Sequence, residues 1–389
     1  MKLLEKLLGR IRPGPSHRGT PPTDGAARNA QIAETIDRAL NSAGLTRQGG
    51  PGGQVRATID QSLARAGLVR PMEQMPTDVA APQAREVTTA PDATPEASGQ
   101  WLARSYSGDA GSLDYKLYVP AGAKQDPGAP MPLVVMLHGC TQSPDDFAAG
   151  TGMNALADEH GFLVAYPAQT ARANGNKCWN WFRPGDQAHG RGEPALIAGV
   201  VGHVAADHRV DRERVFVAGL SAGAAMAVIL GETYPDVFAA VGAHSGLPFA
   251  AASDVGSAFS AMSQGAQRST GGRGAGATTH AVPTIVFHGD ADRTVAASNS
   301  EAIIRDATTG ATQSIVQNGI APGGRSYKQE VFESPDGRPR VEHWTVQGAG
   351  HAWSGGSARG TYTDPTGPNA SAEMVRFFLQ QGGGEKGTS

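Results

Sequence analysis

Short apolar runs alternate with helically spaced segments along the chain beyond residue 100. Apolar runs of about four to eight residues, unbroken by polar side chains, are typical of strands buried on both faces of a sheet. Because most of these runs precede a segment with helical spacing, they predict an α/β fold with a mostly parallel, doubly wound sheet. The runs lie at residues 133–137, 163–166, 215–218, 239–243, 284–288 and 343–346, and the predicted helices lie at 153–160, 195–208, 224–234 and 372–379.

Two other segments of this part of the chain have different patterns. Residues 101–106 and 113–119 alternate polar and apolar positions around a Gly-Asp-Ala-Gly turn, which predicts a pair of strands. Residues 253–279 are rich in Gly and Ser, and we expect them to form a mobile loop.

The first hundred residues have the composition of a region without a core of its own. They are rich in Pro, Gly, Ala and Thr, and the first aromatic residue of the chain is Trp101. We therefore expect a largely disordered linker region at residues 1–99, a globular domain at 100–382 and a flexible tail at 383–389.

A short repeat interrupts this linker region. The pattern Thr-Ile-Asp, followed by spaced Leu, Ala and Gly, starts at Thr35 and again at Thr58. It predicts two short amphipathic helices, at about residues 31–45 and 54–68. Because such short helices are marginal alone, they either fold back on the globular domain, fray, or form an adaptor for a partner or an apolar particle surface.

Charge and hydropathy exclude several classes of partner. The formal net charge of -3 over 389 residues provides no basic face for a phosphate backbone, so we expect no nucleic-acid partner. Charges at Glu5 and Lys6 interrupt the apolar stretch that a secretory signal peptide needs. No run approaches the about 18 apolar residues of a membrane span. We therefore expect a cytoplasmic protein without a membrane span.

Residues 215–223 predict a serine nucleophile on a strand-to-helix turn. The apolar run ends in Gly-Leu-Ser-Ala-Gly at residues 219–223, and a helical pattern follows. This turn is so tight that glycines are needed two positions before and two positions after the serine. In a chain with 52 glycines the motif alone is a weak signal, but the strand before it and the helix after it identify Ser221 as the candidate nucleophile.

Loops after two later strands supply a candidate acid and a candidate base. A serine hydroxyl becomes a good nucleophile when an imidazole accepts its proton and a carboxylate holds that imidazole. Residues 288–292 read His-Gly-Asp-Ala-Asp, and Asp292 fits the His-Gly-x-x-Asp pattern better than Asp290 does. His351 lies among small residues after the last strand and is the candidate base. The chain order Ser, Asp, His is that of the α/β-hydrolase arrangement.

The loop after the first buried strand is the candidate source of an oxyanion donor. Negative charge that develops on a carbonyl oxygen needs preorganised N–H groups. We predict that the backbone N–H groups of Cys140 and of Ala222, the residue after the nucleophile, supply them. We predict that Cys140 and Cys178 pair as a disulfide that braces this loop. Two buried thiols are the alternative, which a reducing cytoplasm would favour.

The sequence contains no recognisable cofactor or metal motif. It has no Cys-x-x-Cys pair, no His-x-x-x-His on a helix, no acidic loop of the EF-hand type, and no dinucleotide fingerprint after the first strand. We therefore expect neither a metal nor an organic cofactor.

Six short motifs follow one another along the chain: Leu-His-Gly-Cys-Thr-Gln at 137–142, Cys-Trp-Asn-Trp-Phe at 178–182, Gly-Leu-Ser-Ala-Gly at 219–223, Ser-Gly-Leu-Pro at 245–248, His-Gly-Asp-Ala-Asp at 288–292 and Gly-His-Ala-Trp at 350–353. In this order they resemble the esterase family of poly(3-hydroxybutyrate) depolymerases, over about residues 100–381. The resemblance implies a serine esterase of α/β-hydrolase fold acting on short-chain hydroxyalkanoate polyesters, with relatives that cleave feruloyl or acetyl esters on plant polysaccharide. It also implies the three catalytic roles named above and a Cys140–Cys178 bridge.

The ends of the chain depart from the family pattern. Secreted members carry a signal peptide, and many carry a C-terminal linker and a polymer-binding module, whereas neither is seen in this sequence. We therefore expect turnover of intracellular granules, small esters or oligomers rather than of external crystalline polymer. An extracellular location is the alternative that the family resemblance implies.

Four aromatic residues complete the set of candidates: Trp179, Trp181, Phe182 and Trp353. They either line the cleft and contact a methylated acyl chain, or pack as ordinary core. The leading hypothesis is thus an esterase of hydroxyalkanoate esters that works through an acyl-enzyme. The alternatives are a feruloyl or acetyl carbohydrate esterase, a peptidase on the same scaffold, and a non-catalytic protein that binds a granule or polymer through its N-terminal helices.

Overall fold

The computed structural model describes residues 97–124, 128–266, 282–308, 313–334 and 337–381, all within the unit Pro91–Ser389. The helices predicted at residues 31–45 and 54–68 and the tail predicted at 383–389 lie outside the described residues. Those predictions therefore stay predictions. No helix in the described ranges is both long enough and apolar enough to cross a bilayer.

The described chain contains twelve strands and seven α-helices. The strands are β1 Gln100–Gly108, β2 Gly111–Val119, β3 Met131–Leu137, β4 Leu163–Pro167, β5 Val210–Leu220, β6 Ala240–His244, β7 Thr284–Gly289, β8 Gln313–Ile320, β9 Ser326–Glu333, β10 Pro339–Val346, β11 Trp353–Ser354 and β12 Thr363–Asp364. The helices are α1 Pro144–Thr151, α2 Met153–His160, α3 Gly192–Asp207, α4 Ala222–Thr233, α5 Val255–Gln264, α6 Ser298–Ala307 and α7 Ala370–Gln381.

One large sheet has the strand order β1-β2-β4-β3-β5-β6-β7-β10-β9-β8. The six central strands from β4 to β10 run parallel to one another. The pairs β1–β2 and β8–β9 flank them with antiparallel pairing. This topology confirms the predicted α/β-hydrolase fold with a mostly parallel sheet, and β1–β2 is the strand pair predicted around the Gly-Asp-Ala-Gly turn.

Two apolar clusters cover the two faces of the sheet. Successive residues of a strand point to opposite faces, so Val135 and Val217 join the cluster that contains α3 and α4. Their neighbours Val134 and Phe216 join the cluster that contains residues of α1, α2 and α7. The central strands are therefore largely buried on both sides, which explains the apolar runs within them.

The Gly/Ser-rich segment contains a helix that the sequence analysis predicted as loop. Asp254 accepts a hydrogen bond from the Ser257 N–H at 2.8 Å, and the Ser257 hydroxyl accepts one from the Asp254 N–H at 3.1 Å. This reciprocal cap starts α5, whose Ala258 and Ala261 are buried. The loop prediction is therefore wrong for residues 255–264, while residues 267–281 lie outside the described part of the chain.

Candidate active site

Ser221 lies at the sharp turn between β5 and α4. Its backbone has φ 57° and ψ -118°, which is rare for a residue with a side chain. A Cβ on Gly219 would overlap the backbone of Gly223, and a Cβ on Gly223 would overlap the carbonyl oxygen of Leu137. The two glycines thus allow β5, α4 and the end of β3 to approach closely enough to form this turn.

Asp292 follows β7 and lies in a dense set of hydrogen-bond donors. Its Oδ1 accepts from the N–H groups of Thr294 and Val295, at 2.8 and 2.9 Å. Its Oδ2 accepts from His351 Nδ1 at 2.7 Å, and His288 Nε2 lies 3.4 Å from the same oxygen. Burial alone would raise the pKa of Asp292, but the hydrogen bonds from His288 and His351 hold the pKa well below its usual range. The carboxylate is therefore ionised at neutral pH and can orient an imidazole.

The loop after β10 is joined to the loop after β7. Asp290 Oδ1 accepts from the Gly348 N–H at 2.6 Å, and the Ala291 N–H donates to the Ala349 carbonyl at 3.1 Å. The structure therefore separates the two candidate acids: Asp292 contacts His351, and Asp290 contacts the backbone of the loop that carries it. A hydrogen bond between His351 Nε2 and Ser221 Oγ stays a prediction.

His244 connects the turn that carries Ser221 to the segment that follows His351. It was not among the candidate residues from the sequence. Its carbonyl accepts from the Ser221 N–H at 2.9 Å, and its Nε2 accepts from the Ser354 N–H at 2.9 Å. Burial lowers the pKa of His244 to about 3, so the ring is neutral and Nδ1–H can donate to Ser245 Oγ. Its place at the end of β6, between β5 and β7, is the signal that could have identified it.

The loop after β3 holds the Gly139–Cys140 peptide in one orientation. The His138 Nε2 accepts from the Gln169 N–H at 3.1 Å, so Nδ1 carries the proton and donates to the Gly139 carbonyl at 2.8 Å. Burial lowers the pKa of His138 to about 4, which keeps the ring neutral. In a trans peptide the N–H points away from the carbonyl, so the Cys140 N–H points away from His138.

The second predicted donor lies at the start of a helix. Ala222 is the first residue of α4, where a backbone N–H has no acceptor within its own helix. Cys140 and Ala222 therefore belong to segments that meet where Gly223 approaches Leu137. Their role as oxyanion donors stays a prediction.

A disulfide joins Cys140 to Cys178, which confirms the paired alternative. Two further contacts connect the same loops. The Thr141 N–H donates to the Asn176 carbonyl at 2.7 Å, and Trp179 Nε1 donates to the His138 carbonyl at 3.1 Å. The predicted oxyanion loop is thus anchored to the segment that carries the Cys-Trp-Asn-Trp-Phe motif.

A buried carboxylate lies behind this segment. Glu193, in the first turn of α3, accepts from the N–H and the Nδ2 of Asn180 at 2.7 and 2.5 Å. It also accepts from Gln169 Nε2 at 2.5 Å, and Gln169 Nε2 donates to the Cys178 carbonyl at 3.2 Å. Burial raises the pKa of Glu193 to about 7. Glu193 was not among the candidates from the sequence, because no motif marks its partners.

The four candidate aromatic residues differ in exposure. Trp179 is 0% exposed, and Trp353 is 1% exposed and packs against Phe147 and His244. These two side chains support the site from inside the core, so the alternative of core packing describes them. Trp181 is mostly buried and Phe182 is half-buried, with their rings edge to face at 5.7 Å. Contact between these two residues and a substrate stays a prediction.

Comparisons with known proteins agree with the geometry. The Esterase PHB depolymerase family matches residues 113–315. Poly(3-hydroxyalkanoate) depolymerase C of Paucimonas lemoignei is 36% identical over 69% of this chain and 64% of its own length, so the chain spans less than two thirds of that relative. Feruloyl esterase B of Talaromyces stipitatus is 28% identical over 64% of this chain and 70% of its own length. An acetyl xylan esterase structure from Aspergillus awamori shares the fold, with a TM-score of 0.55 at 20% identity over 72% of this chain and 100% of that chain.

Proposed function

The chain belongs to the Esterase PHB depolymerase family, and we propose that it is a serine esterase that hydrolyses short-chain hydroxyalkanoate esters through an acyl-enzyme. One observation carries the proposal. The strained Ser221 turn lies at the carboxyl end of β5, at the same edge of the sheet as the hydrogen-bonded pair Asp292 and His351. Carboxyl ends of parallel strands are where α/β folds place their active sites.

In the first half of the reaction, Ser221 Oγ attacks the ester carbonyl carbon, and His351 Nε2 accepts the hydroxyl proton. Asp292 stabilises the imidazolium that forms. The carbonyl oxygen becomes an oxyanion, which accepts hydrogen bonds from the N–H groups of Cys140 and Ala222. The tetrahedral intermediate then collapses, the bond to the alcohol oxygen breaks, and His351 donates its proton to the leaving alcohol.

In the second half, water replaces the alcohol. His351 accepts a proton from the water as its oxygen attacks the acyl carbon, and the same N–H groups hold the second oxyanion. Collapse of this intermediate breaks the bond to Ser221 Oγ, which takes back the proton. The products are a carboxylic acid and the regenerated serine.

The substrate class rests on the family and on the named relative, a poly(3-hydroxyalkanoate) depolymerase that is 36% identical. A polymer or granule surface is the partner that this substrate implies. The disulfide favours an oxidising compartment over the cytoplasm, because cytosolic thiols are kept reduced. We therefore propose an extracellular enzyme, in place of the cytoplasmic location expected above.

Matched variants test the proposed mechanism. With p-nitrophenyl butyrate as substrate, Ser221→Ala is expected to abolish acyl-enzyme formation, and Asp292→Asn to lower kcat by about 10⁴-fold because the imidazole loses its orienting carboxylate. Asp290→Asn is the control. It keeps an oxygen for the Gly348 N–H and should stay within about tenfold of wild type. Full activity of Ser221→Ala would refute the mechanism.

A substrate panel tests the substrate class. We expect kcat/KM on soluble 3-hydroxybutyrate oligomers to exceed kcat/KM on methyl ferulate and on acetylated xylan fragments, as measured by release of acid at fixed pH. Higher kcat/KM on either carbohydrate-type ester would replace the hydroxyalkanoate proposal by the alternative esterase. Faster turnover of peptide p-nitroanilides than of esters would indicate a peptidase.

A further inference from the structure

The chain that follows His351 packs against the loop that carries Cys140. After His351 it forms a closed segment, residues 353–364, in which β11 pairs with β12 and the Trp353 N–H donates to the Tyr362 carbonyl at 2.7 Å. The Ser357 N–H donates to the carbonyl of Gly150, near the end of α1, at 2.8 Å. A Cβ on Gly360 would overlap Gly150, so segment and helix are in close contact.

Gln142 joins this segment to the predicted oxyanion loop. Its side-chain Oε1 accepts from the Gly139 N–H at 2.9 Å, one residue before Cys140. Its Nε2 donates to the carbonyl of Thr361 at 3.0 Å and to Asp146 Oδ2 at 2.8 Å. The side chain is only 3% exposed, so these contacts are shielded from water. One amide therefore connects the backbone of the two loops.

The partners of Gln142 allow only one orientation of its amide. The oxygen faces a donor, and both N–H bonds face acceptors, so a rotated amide would lose all of these bonds. Asp146 is itself held in place. Its N–H donates to the capping hydroxyl of Ser143, and its carboxylate accepts from the N–H and the hydroxyl of Thr361 at 2.9 and 2.6 Å. The Gln142 side chain thus has one defined geometry.

We propose that Gln142 is a positioning residue. It couples the placement of residues 353–364, the segment that continues from His351, to the orientation of the Cys140 N–H. The inference rests on the proposed esterase function and deepens it. Gln142 contacts neither the reacting serine nor the imidazole. It fixes the peptide before the oxyanion donor relative to the segment that continues from the base, so both halves of the site hold the transition state in one geometry.

Gln142→Glu tests this coupling, because it keeps the acceptor for the Gly139 N–H but turns the two donor contacts into repulsion from Asp146 and the Thr361 carbonyl. We expect kcat on p-nitrophenyl butyrate to fall about 10- to 100-fold with KM within about threefold, since the lost interaction acts in the transition state. The inhibition constant of 1-butaneboronic acid, which forms a tetrahedral adduct, should rise by a similar factor.

Gln381→Ala is the matched control. Gln381 Nε2 also links two backbone carbonyls, those of Pro339 and Phe377, but Pro339 lies at the end of β10 opposite the site. Gln381→Ala should leave kcat, KM and boronic-acid affinity unchanged. Asp146→Asn is the second test variant. It keeps the Ser143 cap, weakens one acceptor of Gln142, and should lower kcat in the same direction by a smaller factor.

The outcomes are separable. If wild type hydrolyses no ester, the proposed function fails. If wild type is active and Gln142→Glu is folded with unchanged kcat and boronic-acid affinity, or if KM alone rises, the coupling is refuted. If Gln142→Glu does not fold, Asp146→Asn decides the question by the same two readouts, and unchanged kcat in that variant refutes the coupling.

Discussion

Ser221 holds a backbone conformation that costs of order 1 to 3 kcal/mol and persists because its surroundings leave no alternative. Its N–H is bonded to the His244 carbonyl, and Gly223 lies against the carbonyl oxygens of Leu137 and His138. Since those carbonyls belong to the segment that leads into Cys140, the position of the serine and that of the oxyanion loop are set by one contact between backbones.

Gly223→Ala is therefore expected to damage activity beyond its effect on stability. The new Cβ overlaps the Leu137 oxygen, so α4 and the loop after β3 have to separate, at a cost of about 1 to 3 kcal/mol in the free energy of unfolding. We expect kcat on p-nitrophenyl butyrate to fall at least about tenfold, because the two predicted oxyanion donors move apart. Urea unfolding and steady-state kinetics measure the two effects.

Gly202→Ala is the control for this substitution. Gly202 is a helical glycine of α3, and a Cβ there meets no atom within 4 Å. We expect unchanged kinetics and a gain in stability of up to about 1 kcal/mol from helix propensity. Equal kcat values for the two alanine variants would contradict the account of the turn.

At the scale of elements, the Cys140–Cys178 bridge closes a chain loop between residues separated by 38 positions. Restricting the unfolded chain in this way contributes about 4 kcal/mol in the loop-entropy account. The bridge is not alone in holding the two segments, since the Thr141 N–H and Trp179 Nε1 donate across the same boundary. The disulfide is thus expected to matter more for stability than for catalytic geometry.

Replacing both cysteines by serine tests this division. The melting temperature should fall by several degrees or more, because the unfolded chain regains its freedom. By contrast, kcat at 25 °C should fall less than about tenfold, because the backbone contacts remain. Wild type treated with dithiothreitol should reproduce the variant's melting temperature, and the variant itself should not respond. A melting temperature that is the same with and without the bridge would contradict the prediction.

The elements that the sequence predicts are those whose burial is reflected in a local pattern of apolar and polar residues. β3, β7 and the second half of β5 are buried on both faces and mostly apolar, so the sequence predicted these strands. The strands β8 and β9 were not predicted. β8 is the last strand of the sheet, with Ile320 72% exposed, and it lacks the apolar run of a central strand. The helices α1 and α6 were also not predicted.

The residues of the candidate site also differ in whether the sequence alone identifies them. Each of the three candidate catalytic residues, Ser221, Asp292 and His351, follows a strand that was predicted from the sequence. The sequence alone was therefore enough to expect all three at one edge of the sheet. The supporting residues His244 and Gln142 have partners 110 and 219 positions away, at Ser354 and Thr361. No local pattern reports contacts at such separations, which is why only the fold identifies these residues.

At the scale of the whole molecule, several buried histidines make stability depend on pH. Burial lowers the pKa values of His138 and His343 to about 4 and that of His244 to about 3. In the unfolded chain each titrates near the ordinary pKa of about 6.5. As pH falls below about 6.5 the unfolded chain therefore takes up protons that the folded protein does not bind, and the free energy of unfolding decreases.

Glu193 has the opposite effect on the pH dependence of stability. Burial raises its folded pKa to about 7, whereas its unfolded pKa is near 4.3. Between these values the folded protein holds a proton that the unfolded chain has lost, so this contribution to stability is complete below about pH 4 and disappears as pH rises through 7. Between pH 5 and 6 three histidines oppose one glutamate. The histidines outnumber the glutamate, so these four groups together should make stability rise with pH in this interval.

Two variants separate these contributions in urea unfolding at pH 5, 6 and 7. His343 lies in β10, where its Nε2 and Ser300 Oγ form a hydrogen bond. His343→Gln removes one opposing histidine, so the mean slope between pH 5 and 7 should become shallower by about 1 kcal/mol per pH unit. Glu193→Gln removes the glutamate and should steepen the slope by the same amount. Each variant also shifts stability by a constant through its altered hydrogen bonds, but that shift does not affect the slope. A slope unchanged in His343→Gln would mean that His343 titrates alike in both states, which its burial beside Ser300 argues against.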